Sequence, residues 1–173
     1  LIDSIDALQQ TLCAELTAGT DFVDLDVRAH ELLADVLVRH ELIVCGAGEA
    51  LDRGLTRAFL PHGLGHLLGL QVHDAGGRLV APDGETRPPP DEAPFLRLTR
   101  VVEPGFAVTI EPGIYFIAQL LDRLDPARRK LLNPKAIDRF LPYGGIRIED
   151  DLIVESDGSK NLTRRALAAL GAA

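Results

Sequence analysis

Phe59-Leu-Pro-His-Gly-Leu-Gly-His-Leu-Leu-Gly-Leu-Gln-Val-His-Asp74 decides how the rest of this chain is read. It holds three of the chain's five histidines: His62, His66 and His73. His62 and His66 have the spacing that puts two side chains on one face of a helix. Gly63, Gly65 and Gly69 argue against that helix, because each glycine costs about 1 kcal/mol relative to alanine in a helix interior. A glycine-rich turn is the better reading, since glycine lets the backbone bend and approach a ligand closely. Such a turn presents imidazoles at short range. Gln71-Val72-His73 then reads as the start of a short strand.

On the C-terminal side, Ala75 to Pro94 reads as a long loop. Gly76-Gly77, Gly84 and Pro88-Pro89-Pro90 argue against regular structure, because proline fixes φ and removes a donor. A loop of that length forms either a rim or lid over the histidines or a plain surface excursion. Leu96 to Val102 alternates apolar and basic residues, the pattern of a half-buried strand. Glu103-Pro-Gly105 is a turn. Phe106 to Glu111 is a second strand, stopped by Pro112-Gly113, and Ile114 to Ile117 continues extended. Thr109 and Glu111 share one face of that second strand. A carboxylate at the end of a β-rich run is rarely buried unless it is paired or metal-bound.

Ala118 to Arg129 reads as a helix, and Asn133-Pro134 caps a shorter one through Phe140. Tyr143 to Glu155 has the period-two order of a strand. Arg147, Glu149 and Asp151 point one way, and Ile146 and Ile148 the other. A cation and a carboxylate on one face either line a site or pair on a solvated edge. Ser156-Asp-Gly158 turns the chain, and Asn161-Leu-Thr163 leads into an alanine-rich tail.

Upstream of the histidines the chain reads as helical scaffold. Residues 1–18 place Leu1, Ile5, Leu8, Leu12 and Leu16 on one stripe. Gly19 ends that helix, and Asp21 or Thr20 caps the next. The second helix runs from Val23 to Glu41, with Val23, Val27, Leu32, Val36 and Leu37 among its apolar positions. His30 and His40 lie on it as surface or satisfied core residues. Leu42 to Cys45 is a helix end or a short strand, broken by Gly46 and Gly48. Ala50 to Phe59 is a short helix.

The composition is globular: 173 residues, 46% hydrophobic and 25% charged, sized for one domain. A net charge of −8 disfavours nucleic acid as a partner, since phosphate binding needs a basic face. That charge permits cation binding. No apolar run approaches the roughly 20 residues of a membrane span, so no membrane partner is expected. No signal peptide is visible. Cys13 and Cys45 read as small buried hydrophobes in a reducing, cytoplasmic setting. The chain has no methionine and opens on Leu1 inside a helical pattern, so a piece of a longer polypeptide is expected.

His66, Glu111 and Glu149 offer one imidazole and two carboxylates from three separate elements. Oxygen-rich sites with little sulfur suit Mn2+, with Zn2+ and Co2+ as alternatives. A pair of such ions binds one water between them and lowers its pKa. His62, His73, Tyr115 and Arg147 remain as donors for a carbonyl oxygen or a substrate carboxylate. The chain has no HExxH, paired CxxC, P-loop or Gly-x-Ser-x-Gly elbow.

Pro61 to Asp74, Thr109-Ile-Glu-Pro-Gly-Ile-Tyr115 and Gly145-Ile-Arg-Ile-Glu-Asp150 together resemble the three late motifs of the pita-bread metallopeptidases. That family includes methionine aminopeptidase, aminopeptidase P and prolidase. The proline-rich insertion after His73 and the helices before Tyr143 are most similar to bacterial Xaa-Pro dipeptidases, the prolidases. The resemblance implies an α+β, incomplete pita-bread fold, a curved antiparallel sheet with flanking helices. It implies a dinuclear Mn2+ site that hydrolyses dipeptides with a C-terminal proline by means of a bridging hydroxide. His66 and Glu111 would bind one ion and Glu149 both, with Glu111 handling the proton. His62 and His73 would contact substrate or the tetrahedral intermediate, supported by Tyr115 and Arg147.

The family pattern has five metal ligands, and the first two are aspartates upstream of the helix where this chain begins. Asp21, Asp24 and Asp26 lie in a capping region and do not match them. Residues 1–173 are therefore expected to be the C-terminal part of a catalytic domain. The N-terminal domain and first ligand hairpin are absent, and the chain alone is expected to be inactive. The parent is expected to be a homodimer. Two other readings stand beside this one: an aminopeptidase P-like enzyme, and a metal-free pita-bread binding module.

Overall fold

The computed structural model describes residues 1–81 and 83–171. Pro82 of the long loop and the last two alanines of the tail lie outside the described residues.

Helix α1 spans Ile2–Glu15 and buries Ile5, Leu8 and Leu12, as the stripe requires. It stops short of Gly19, which takes φ +91° in the turn that follows. Helix α2 spans Phe22–Arg39, and the Asp21 carboxylate accepts from the Val23 amide as its cap. Of the apolar positions named from the sequence, Val36 and Leu37 are buried. Val27 is 48% exposed, and the core side chains are Phe22, Leu25, Ala29, Leu33, Val36 and Leu37. Phe22 is the larger apolar group at the helix start, and burying it turns Val27 outward. Two short helices follow, α3 at Ala47–Asp52 and α4 at Thr56–Phe59. Ile43 makes an isolated bridge to Leu132.

The β structure lies in the second half. Strand β1 (Ala107–Ile110) pairs antiparallel with β4 (Asp150–Glu155), and β4 pairs with β5 (Gly158–Asn161). Strands β2 (Gly113–Tyr115) and β3 (Gly145–Arg147) form a separate antiparallel pair. The expected continuous strand Tyr143–Glu155 is thus two strands in two sheets, parted at Ile148-Glu149. Pro112-Gly113 breaks the partner at the matching place, so the pair changes sheet together.

Leu96 to Val102 does not join a sheet. Leu96, Leu98 and Val102 are buried, but Thr99 is buried as well, so the alternation breaks there. Its backbone bonds go to the α1–α2 turn and to Gly77. Ala118 to Arg129 is two short helices, α5 (Ala118–Asp122) and α6 (Pro126–Arg129), because Pro126 suits a first turn and not an interior. Asn133 caps α7 (Pro134–Asp138) as expected. Helix α8 (Leu162–Ala169), capped by Asn161, closes the chain. The architecture is α+β, with α1 against β5 and α2 against α1, α3 and α4. No helix among the described residues is long and apolar enough to cross a membrane.

Candidate metal centre

The histidine segment is not the free turn its glycines suggested. Residues 64–68 run beside β1 and exchange backbone bonds with it. The Glu111 amide donates to Leu64 O at 2.9 Å, Thr109 N to His66 O at 3.0 Å, and Leu68 N to Ala107 O at 2.8 Å. The glycines are needed for this close approach. A Cβ on Gly65 would lie 2.0 Å from Thr109 O, and one on Gly63 would lie 2.6 Å from the Leu96 Cα. Gln71 to His73 forms no strand; it is a bend, with Leu70 and Val72 exposed.

The pairing brings His66 onto Glu111. His66 Nδ1 lies 3.0 Å from Leu67 O. A carbonyl only accepts, so the proton sits on Nδ1 and the Nε2 lone pair faces outward. It faces Glu111 Oε1 at 3.4 Å. Thr109 Oγ1 donates to the same carboxylate at 3.2 Å and accepts from the His66 amide at 3.0 Å. Glu149 arrives from the break between β3 and β4. One ligand atom each from His66, Glu111 and Glu149 lie within 4.8 Å of one another. Arg147 lies between the two carboxylates, 3.3 Å from Glu111 and 3.6 Å from Glu149.

The electrostatics follow from that crowding. Burial and the neighbouring Glu111 carboxylate push Glu149 above its ordinary range, against the pull of Arg147. An imidazole lone pair and two carboxylates converge while sharing one guanidinium. That donor set fits a divalent cation of borderline or hard character.

The other expected site residues sit close by. His62 Nδ1 is 2.9 Å from Gly63 O, so Nε2 accepts from the Tyr115 hydroxyl at 2.8 Å. Partial burial raises the Tyr115 pKa. His73 is exposed, and its ring meets His66 edge-on with centroids 4.4 Å apart. Part of the proline-rich loop reaches this region. Asp91, Glu92 and Phe95 share with Arg57 and His62 a cavity of about 340 Å³. That stretch is rim. Residues 79–81 and 83–86 are tied to one another by the Leu79–Thr86 bridge and by the bond from Val80 N to Glu85 O at 2.8 Å, and most of them are exposed, as in a surface excursion.

Asp26 has a larger part than its place near a cap suggested. It is 1% exposed, and it accepts from the Leu64 amide and from Arg57, each at 3.0 Å. It thereby ties α2 to the residue whose carbonyl holds Glu111. The available signal was a carboxylate one turn beyond Phe22, on the face that packs inward. Burial raises its pKa. His30 lies 4.0 Å away, 3% exposed, with no hydrogen-bond partner at either ring nitrogen among the described residues. Burial pushes the His30 pKa down to about 3.

Comparisons with known proteins agree with the geometry. The model of metallopeptidase family M24 matches residues 1–156. An Xaa-Pro dipeptidase of Stenotrophomonas maltophilia is 46% identical over 170 residues, covering 98% of this chain and 38% of the relative. Xaa-Pro dipeptidase 2 of Idiomarina loihiensis is 44% identical over 99% of this chain and 39% of its own length. The chain thus spans about two fifths of the curated relatives it matches. Among solved structures, an alanine variant of Escherichia coli aminopeptidase P superposes with TM-score 0.66 at 26% identity, covering 95% of this chain and 30% of that one. Pseudomonas aeruginosa aminopeptidase PepP gives TM-score 0.64 at 26% identity, covering 94% of this chain and 30% of its own.

Proposed function

Since this chain belongs to metallopeptidase family M24, we propose that it is the C-terminal part of a catalytic domain that hydrolyses Xaa-Pro dipeptides. The observation that carries the reading is the convergence of His66, Glu111 and Glu149 within 4.8 Å. Those three would hold Mn2+, with Zn2+ or Co2+ as substitutes. Two further anionic ligands for a second ion would come from upstream polypeptide, so this chain alone would be inactive. An apolar cavity of about 500 Å³ beside Leu1, Phe116, Phe140 and Ile146 suits the packing of such a segment. The free cysteines Cys13 and Cys45 suit a reducing cytoplasm. The family resemblance adds a homodimer.

Held at this site, the ions would lower the pKa of water and polarise the scissile carbonyl. The residues supply the rest. Glu111 takes the proton from the attacking water and returns it to the departing proline nitrogen. Thr109 keeps its carboxylate oriented. His62, held by Tyr115, contacts the substrate or the tetrahedral intermediate. Arg147 offsets the charge of the two glutamates, and His73 meets the substrate at the open side.

The dipeptidase reading is preferred to the aminopeptidase P reading because the two curated dipeptidases are 46% and 44% identical and the solved aminopeptidases 26%. A metal-free binding module fits poorly with two crowded carboxylates facing an imidazole lone pair. The deciding assay gives the assembled enzyme Mn2+ and compares an Xaa-Pro dipeptide with longer Xaa-Pro peptides. Cleavage of the dipeptide alone is expected. Cleavage of only the longer peptides overturns the dipeptidase assignment. Absence of bound Mn, Zn or Co favours the binding module.

A further inference from the structure

Directly behind the candidate metal centre lies a second polar cluster that the reaction does not use. Asp150 opens β4 as the register partner of Ile110, on the opposite face of the ladder from Thr109. Glu149 precedes the strand and reaches the site, while Asp150, 2% exposed, faces back. There the Asp150 carboxylate accepts from Arg164 Nε at 2.8 Å and Asn161 Nδ2 at 2.7 Å. Arg164 also donates to Asp6 at 2.6 Å and to Gln9 Oε1 at 3.2 Å. Gln9 is fully buried, and its amide reaches Ile110 O at 3.4 Å.

Ile110 and Asp150 are register partners in the β1–β4 ladder. The cluster thus grips the residue before Glu111 and the residue after Glu149 at the point where both strands leave their sheet. Its organising cation belongs to α8, beyond the residues that the family model matches.

We propose that Arg164 is a positioning residue for the metal centre. With Asp150 and Gln9 it sets the separation of the Glu111 and Glu149 carboxylates. The inference rests on the reading of His66, Glu111 and Glu149 as metal ligands. Its chemical basis is general: a side chain that orients a ligand changes metal affinity without touching the ion.

The experiment titrates the assembled enzyme with Co2+ alone and follows the visible absorption of the bound ion. Arg164→Ala is expected to weaken Co2+ binding about 10- to 100-fold and to alter the absorption envelope. Arg164→Lys, which restores the cation, is expected to recover much of both. Circular dichroism checks folding. If Arg164→Ala does not fold, Asp150→Asn carries the same expectation with nearly unchanged side-chain volume. A folded variant with wild-type affinity and an unchanged spectrum overturns the positioning role alone. A wild-type assembled enzyme that takes up no Co2+, or a Glu149→Gln enzyme that binds it equally well, overturns the ligand reading and this inference with it.

Discussion

The two faces of the β1–β4 region each carry two carboxylates around one arginine, and they differ in how tightly the anions are held. On the rear face the bonds are short: buried Asp150 accepts from Arg164 at 2.8 Å and Asn161 at 2.7 Å, and Asp6 from Arg164 at 2.6 Å. On the front face Arg147, whose side chain is 48% exposed, stands 3.3 Å from Glu111 and 3.6 Å from Glu149. A matched buried pair holds structure, since removing one partner strands a charge in low dielectric. Loosely paired carboxylates repel one another, and the Glu149 pKa is raised by burial and by Glu111. Under the proposed function the front face would take a cation between its carboxylates, while the rear face holds the strands that carry them.

The contrast breaks most sharply at Glu111. In the assembled enzyme, Glu111→Gln is expected to lower turnover of an Xaa-Pro dipeptide at least about 100-fold, with thermal stability largely kept. Near-normal turnover would remove Glu111 from the chemistry.

The next largest effect is steric. Gly65→Ala must displace Thr109 O, which lies 2.0 Å from the added carbon. A loss of about 1–3 kcal/mol is expected by urea denaturation, together with lost activity, because the same pairing places His66. Unchanged stability would show that the histidine segment is not locked to β1.

His30 sharpens the comparison through pH. Its pKa is lowered from 6.5 to about 3, so the unfolded chain binds the extra proton across that window. Its contribution is fully present above about pH 6.5 and is lost progressively as the pH falls toward about 3. Arg57 and His62 reinforce the depression, and Asp26, whose pKa is raised, opposes the loss at the acid end. Stability curves of His30→Leu are expected to be flatter across this window, and a curve parallel to wild type would refute the assignment. The smallest effect belongs to the exposed Arg128–Asp125 pair. Arg128→Ala is expected to cost no more than about 1 kcal/mol in the same denaturation assay.

Local patterns were legible wherever a short-range cause dominates. The α1 stripe, the Asp21 and Asn133 caps and the turn at Pro112-Gly113 all follow from neighbouring residues. The misreadings have long-range causes. Val27 is one of the apolar positions of the second helix, yet it is 48% exposed, because helical spacing alone does not say which apolar residues meet the core. Leu96 to Val102 alternates as a strand does, yet its backbone partners belong to a helix turn and a loop. The motif resemblance identified His66, Glu111 and Glu149 as a set. It was silent on Asp26 and Arg164, whose roles lie in what their carboxylate and guanidinium reach.

By itself the amino-acid order determined which residue types stand at each position, the helical and strand periods, and the family whose motifs the chain carries. Those properties are encoded in separations of a few residues. Only the tertiary structure decided that an imidazole at position 66 and glutamates at 111 and 149 share a space of 4.8 Å, with a matched ion cluster at their back. Convergence over such separations depends on strand register and on close backbone approach at Gly65, and neither is a property of any local stretch.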